Sequence, residues 1–85
     1  MGAKLGDLPT VLRDDGLNFM IFTNDHEPPH VYVTGGGRKG RFKITPPEVY
    51  DYNDFDSKTT KRILKKIADK QDYFLKKWHE THKKK

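Results

Sequence analysis

His30-Val31-Tyr32-Val33-Thr34-Gly35-Gly36-Gly37-Arg38-Lys39-Gly40-Arg41-Phe42-Lys43-Ile44 is the stretch on which the fold turns. Val31 and Val33 alternate with His30, Tyr32 and Thr34. Beyond the glycines, Phe42 and Ile44 alternate with Arg41 and Lys43. A period of two, rich in β-branched and aromatic residues, marks strands that bury one face. The three glycines between the runs accept positive φ and so permit a tight reversal. The stretch predicts a hairpin over His30–Thr34 and Gly40–Ile44, with Arg38 and Lys39 on a flexible basic tip.

Toward the N-terminus, Leu17, Phe19 and Ile21 fall on one face of a run ending at Phe22; Asn18, Met20 and Phe22 fall on the other. Asp14-Asp15-Gly16 supplies turn chemistry before it, and Thr10–Arg13 is β-prone. These runs predict another hairpin. Thr23–Pro29 between the hairpins is irregular, because two prolines remove N–H donors and push Glu27 and Pro28 into extended backbone.

Toward the C-terminus, Thr45-Pro46-Pro47 ends the ladder, and Glu48–Asp54 reads as a tyrosine-rich connector with room for a short strand or turn. Asp56 or Ser57 is a helix N-cap, since its oxygen can accept from a first-turn N–H. Ile63, Leu64, Ile67, Ala68, Phe74, Leu75 and Trp78 follow at helical spacing, with a longer gap at Gln71. They predict one helix of about 22–26 residues. Its apolar stripe would lie across the sheet. The expected fold is α+β: a small antiparallel sheet of about four strands, in two hairpins, packed by one long C-terminal helix. Residues 9–80 form one domain in this reading, with 1–8 a flexible lead-in and 81–85 a basic tail.

The 85 residues contain 17 Lys+Arg, 12 Asp+Glu and no cysteine. Disulfides, thiolate catalysis and thiolate metal sites are thereby excluded. A chain this short has a thin core and is often helped by a partner or a second copy. Both monomer and homodimer fit. No apolar run approaches the ~18 residues of a membrane span, and Met1–Leu8 lacks an apolar signal core. A cytoplasmic domain without membrane contact is expected.

The net charge of +5 is unevenly placed. Residues 1–50 are neutral, so the excess falls in the last 35 residues. Such asymmetry suggests an anionic partner. The candidate nucleic-acid-binding residues are Arg38, Lys39, Arg62, Lys65, Lys66, Lys70 and Lys77, with Lys58, Lys61 and Lys76 beside them. The plainer alternative is a solvated helix face. No helix-turn-helix or RNA-recognition signature points to sequence-specific readout.

Asp25, His26, Glu27 and His30 place two imidazoles and two carboxylates within six residues. Paired histidines can act as general base and acid near neutral pH. His26, His30 and Asp25 are thus the catalytic candidates, with Arg13, Arg41 or Lys43 available to offset phosphate charge. His26 and His30 are also the alternative metal ligands, although the prolines forbid the helical spacing of a metalloprotease site. The structural alternative uses Asn24 or Asp25 to cap the turn and His30 to begin the strand. The reading favours a non-enzyme without cofactor or metal.

The pieces Pro9-Thr10-Val11-Leu12-Arg13, Asn24-Asp25-His26-Glu27-Pro28-Pro29-His30-Val31-Tyr32-Val33 and Phe74-Leu75-Lys76-Lys77-Trp78-His79 together resemble the small bacterial domain-of-unknown-function family 4160. The resemblance covers most of residues 9–80. Tyr32 stands where the family often has a second strand histidine, so a role needing both strand histidines does not carry over. The resemblance implies no established activity. It implies a toxin–antitoxin-like gene pair, by association with a neighbouring small family.

Three functions remain open on these grounds. The leading one is a nucleic-acid-associated or regulatory component of such a pair. The others are a metal-independent ribonuclease using His26 and His30, and a module that binds only a protein from the neighbouring gene.

Overall fold

In a computed structural model, which describes residues 10–23 and 26–82, five strands form one antiparallel sheet in sequence order. They are β1 (Thr10–Asp14), β2 (Leu17–Met20), β3 (His30–Gly35), β4 (Arg38–Lys43) and β5 (Glu48–Asn53); two helices follow, α1 (Ser57–Asp69) and α2 (Gln71–His82). The α+β class agrees with the sequence reading. The strand and helix counts correct it from four to five and from one to two. The expected lead-in, the turn residues Asn24 and Asp25, and the last three lysines lie outside the described residues.

The two predicted hairpins turn on the same device. Asp15 and Gly16 have φ of 55° and 80°, and Gly36 and Gly37 have 57° and 81°. Positive φ at both central residues twists a two-residue turn in the hand of the flanking strands. The second turn is therefore shorter than the sequence suggested. Thr34 pairs with Lys39 and Gly35 with Arg38, so both cations sit in the ladder and not on a loose loop.

β5 was the under-read element. Its ladder with β4 runs from Lys43↔Glu48 to Gly40↔Asn53 and shifts register between Phe42↔Val49 and Gly40↔Asn53. The extra residues of β5 destroy the simple alternation by which a strand is recognised. Asn53 then anchors the entry to α1. Its Oδ1 accepts from Phe55 N–H at 3.0 Å and its Nδ2 donates to Thr60 at 2.8 Å. Asp56 caps the helix, accepting from Thr59 N–H at 2.8 Å.

The single long helix expected from the apolar stripe is interrupted at Lys70 (φ −117°, ψ 31°). The interruption coincides with the gap at Gln71. That side chain turns inward and donates to the Ile44 carbonyl at 2.9 Å, so a polar anchor replaces an apolar contact. The buried face continues across the break: Ile63 and Ile67 from α1, Phe74 and Trp78 from α2. They pack on Leu17, Phe19, Ile21, Val31, Val33, Phe42 and Ile44. Phe19 and Phe74 meet with ring centroids 5.4 Å apart. Fully burying one such side chain stabilises by roughly 1.5–3 kcal/mol. Both helices cover the same side of the sheet. The alternate residues Asn18, Met20, Phe22, Tyr32 and Thr34 are only partly buried. No helix among the described residues is long and apolar enough to cross a membrane.

Candidate functional site

The His26–His30 segment precedes β3, with a cis peptide bond between Glu27 and Pro28. The two histidines have opposite surroundings. His26 is exposed, whereas His30 retains 2% of its accessible surface. His30 Nδ1 lies 2.9 Å from the Pro28 carbonyl. A carbonyl only accepts, so Nδ1 carries the proton in that bond. The ring packs against Tyr50 at 4.9 Å and Trp78 at 5.3 Å. His82 stacks on Trp78 at 3.9 Å, and the indole N–H points to Glu27 at 3.4 Å. The last turn of α2 and the first residue of β3 are thus joined by aromatic packing. A phosphodiester cannot reach the His30 ring without displacing that packing. Asp25 lies outside the described residues. Among those described, no group of three or more His, Asp or Glu side chains is arranged to hold a metal.

Four of the helix cations have carboxylate neighbours. Arg62 pairs with Asp15 and Lys66 with Asp14 (3.1 Å), tying α1 to the β1–β2 turn. Lys65 pairs with Asp69 at 3.4 Å and Lys77 with Glu80 at 3.5 Å. Lys70 and Lys77 also lie over the Tyr73 ring, at 5.9 and 5.6 Å. Four of the seven predicted nucleic-acid contacts therefore have their charge offset locally. Asp69 and Glu80 are near neighbours in the helices, but Asp15 and Asp14, the partners of Arg62 and Lys66, come from a distant part of the chain.

Arg38 and Lys39 differ. Arg38 donates to the Asp54 carbonyl at 2.9 Å, and the Lys39 carbonyl accepts from Asp54 N–H at 2.8 Å. These bonds bring the β3–β4 turn to the start of α1. The Asp56 carboxyl is held below its ordinary value first by its hydrogen bonds from Thr59, with further help from the charges of Arg38 and Lys58. Among the described residues, Arg38, Lys39, Lys58 and Lys61 have no carboxylate at ion-pair distance.

On the helix-free side of the sheet, Phe22, Tyr32, Arg41 and Tyr52 line a cleft of about 340 Å³. Phe22 and Tyr32 are 5.7 Å apart. The Arg41 guanidinium lies 5.5 Å from the Tyr50 ring and 6.0 Å from Tyr52. Both of its arms bind Asp51, whose carboxyl is lowered chiefly by that hydrogen bonding. Burial, then hydrogen bonding with Tyr32, pushes the Tyr52 phenol up. The cleft draws on four chain segments, so no local motif announces it. The tyrosines of Glu48–Asp54 were its one trace in the sequence.

A family model described as a domain of unknown function, DUF4160, matches residues 16–79, most of the chain. The chain belongs to the DUF4160 family. The matched span of this DUF4160 domain takes in His26, His30, the basic turn, the cleft and Trp78. Comparison with curated proteins and with solved structures found no match.

Proposed function

We propose that this DUF4160 domain is a nucleic-acid-associated, regulatory module, acting in the cytoplasm within a toxin–antitoxin-like gene pair. The observation that carries the reading is the group Arg38, Lys39, Lys58 and Lys61, none of which forms an ion pair among the described residues, although the Asp56 carboxylate feels the charges of Arg38 and Lys58. Such a group attracts a phosphate backbone and releases its counterions on contact. The contact is with backbone, which positions a strand without reading its sequence.

Fluorescence anisotropy with labelled oligonucleotides tests this. For three or four phosphate contacts, affinity falls roughly 20- to 150-fold between 50 and 200 mM salt. Lys39→Gln with Lys58→Gln weakens binding, while Lys65→Gln changes it little. No binding at 50 mM salt, or binding insensitive to salt, defeats the proposal.

The helix-free face of the sheet supports a second reading, a module for the neighbouring gene's protein. Co-sedimentation with that product, unaffected by salt and by Lys39→Gln, would favour it. The ribonuclease reading draws less support, because His30 is enclosed by Tyr50 and Trp78. Cleavage lost in folded His26→Ala would revive it.

A further inference from the structure

We infer that the cleft of Phe22, Tyr32, Arg41 and Tyr52 takes an unpaired nucleobase, so that the nucleic acid bound is single-stranded. The inference rests on the nucleic-acid reading and deepens it. A base inside a duplex hides both its faces against its neighbours. Only an unstacked base can lie against a protein ring, and each such stack tolerates any base because every base has a π-face.

The cleft has the parts this requires. Three rings and one planar guanidinium come from β3, β4, β5 and the residue two past the end of β2. Asp51 holds the guanidinium by both arms, which fixes its plane. A guanidinium so held presents a flat, weakly hydrated surface suited to stacking. The phenols of Tyr32 and Tyr52 add polar groups to the rim. A cleft of about 340 Å³ lies at the small end of the range for ligand pockets.

Charge favours a polyanion over a peptide. Of the four cations on β4, Arg38 and Lys39 form no ion pair among the described residues, while Arg41 and Lys43 are paired. The facing carboxylates of β5 are both occupied, Glu48 by Lys43 at 3.0 Å and Asp51 by Arg41. Lys39 stands two residues from Arg41, roughly 7 Å along the strand. A backbone held at the turn can thus continue directly onto the ring-lined face. A peptide groove would be lined mainly by apolar groups; this cleft includes a guanidinium in its lining.

Binding of a labelled 12-nucleotide single-stranded RNA and of a duplex of matching sequence tests the inference. The proteins compared are wild type, Tyr32→Leu, Tyr52→Leu and Lys39→Gln, each verified as folded by circular dichroism and thermal melting. Lys39→Gln weakens both ligands. Either tyrosine variant weakens the single strand roughly ten- to a hundredfold and leaves the duplex unchanged. Ultraviolet crosslinking of the wild type, mapped by mass spectrometry, places the linked base on Phe22, Tyr32 or Tyr52. Tyr52, at the exposed edge, keeps the test decisive if Tyr32→Leu fails to fold.

Equal affinity for duplex and single strand overturns the inference, as does single-strand binding untouched in folded Tyr52→Leu. Either result leaves the electrostatic proposal standing. Wild-type protein that binds neither ligand overturns both. Self-association that Tyr52→Leu abolishes, with oligonucleotide binding intact, assigns the cleft to a second copy instead.

Discussion

Trp78 and His30 lie with their rings 5.3 Å apart, although 48 positions separate them in the chain. The indole covers the imidazole, and both are almost wholly removed from solvent. Trp78→Ala should therefore remove a large part of the core at this end of the sheet. The expected loss is about 3–5 kcal/mol, read from urea denaturation. His30→Ala should cost about 2–4 kcal/mol, since it leaves a cavity and an unsatisfied Pro28 carbonyl. A His30→Ala protein as stable as the wild type would mean that the ring's packing does not hold this end of the sheet.

Gly40 faces Asn53 across the β4–β5 ladder. A Cβ there would sit 3.0 Å from Asn53 Oδ1 and 3.1 Å from its Cα. Asn53 is the residue that ties Phe55 and Thr60 to the start of α1. Gly40→Ala should thus loosen the helix entry and cost about 1–3 kcal/mol. Hydrogen exchange should show the loss of protection concentrated in the first turn of α1. Unchanged protection there would separate Gly40 from the helix entry.

Gly16 tests the turn by a different route. Nothing lies within 4 Å of a Cβ built on it, so sterics with neighbours are absent. Its φ of 80° is the only obstacle. Gly16→Ala should cost about 1–2 kcal/mol through backbone strain alone. A cost near zero in a thermal melt would show that the β1–β2 turn relaxes to another type.

Acid should weaken the fold through Asp51 and Asp56. Both carboxyls are lowered from the ordinary 3.8, Asp51 mainly by hydrogen bonding with Arg41 and Asp56 mainly by the Thr59 backbone N–H. A folded value below the unfolded one gives stability that is present above 3.8 and lost as pH falls through the folded value. Asp56→Asn retains a capping acceptor but does not titrate, so its stability should fall less steeply below pH 3.8. Identical acid profiles for the variant and the wild type would remove Asp56 from this role.

The legible parts of the fold were those with local signals. Val31, Val33, Phe42 and Ile44 announced their strands because each alternates with polar neighbours on a half-buried sheet. β5 was obscured because register slips between Phe42↔Val49 and Gly40↔Asn53. The helix break was visible only as a gap at Gln71; that the gap is a bend follows from a bond to Ile44, 27 residues away. The site was less legible. Sequence spacing joined His26 to His30, but Trp78 and Tyr50 decide that His30 is interior. The last 35 residues showed an uncompensated positive excess because Asp14 and Asp15, which offset Lys66 and Arg62, belong to the other end of the chain. Long-range partners, which no local pattern records, made the difference in each case.

The slipped registers at Thr10/Leu12 on β1 and at Gly40/Phe42 beside β5 fall at the two margins of the sheet. An irregular margin is a poor template for another strand, which is how many β proteins resist edge-to-edge growth. Among the described residues, such margins discourage lengthening of the sheet in its own plane. The face between those margins is the broader surface for contact. Two copies meeting face to face about a two-fold axis use up the surface that joins them, and the result is a closed pair with no free end from which a filament could propagate.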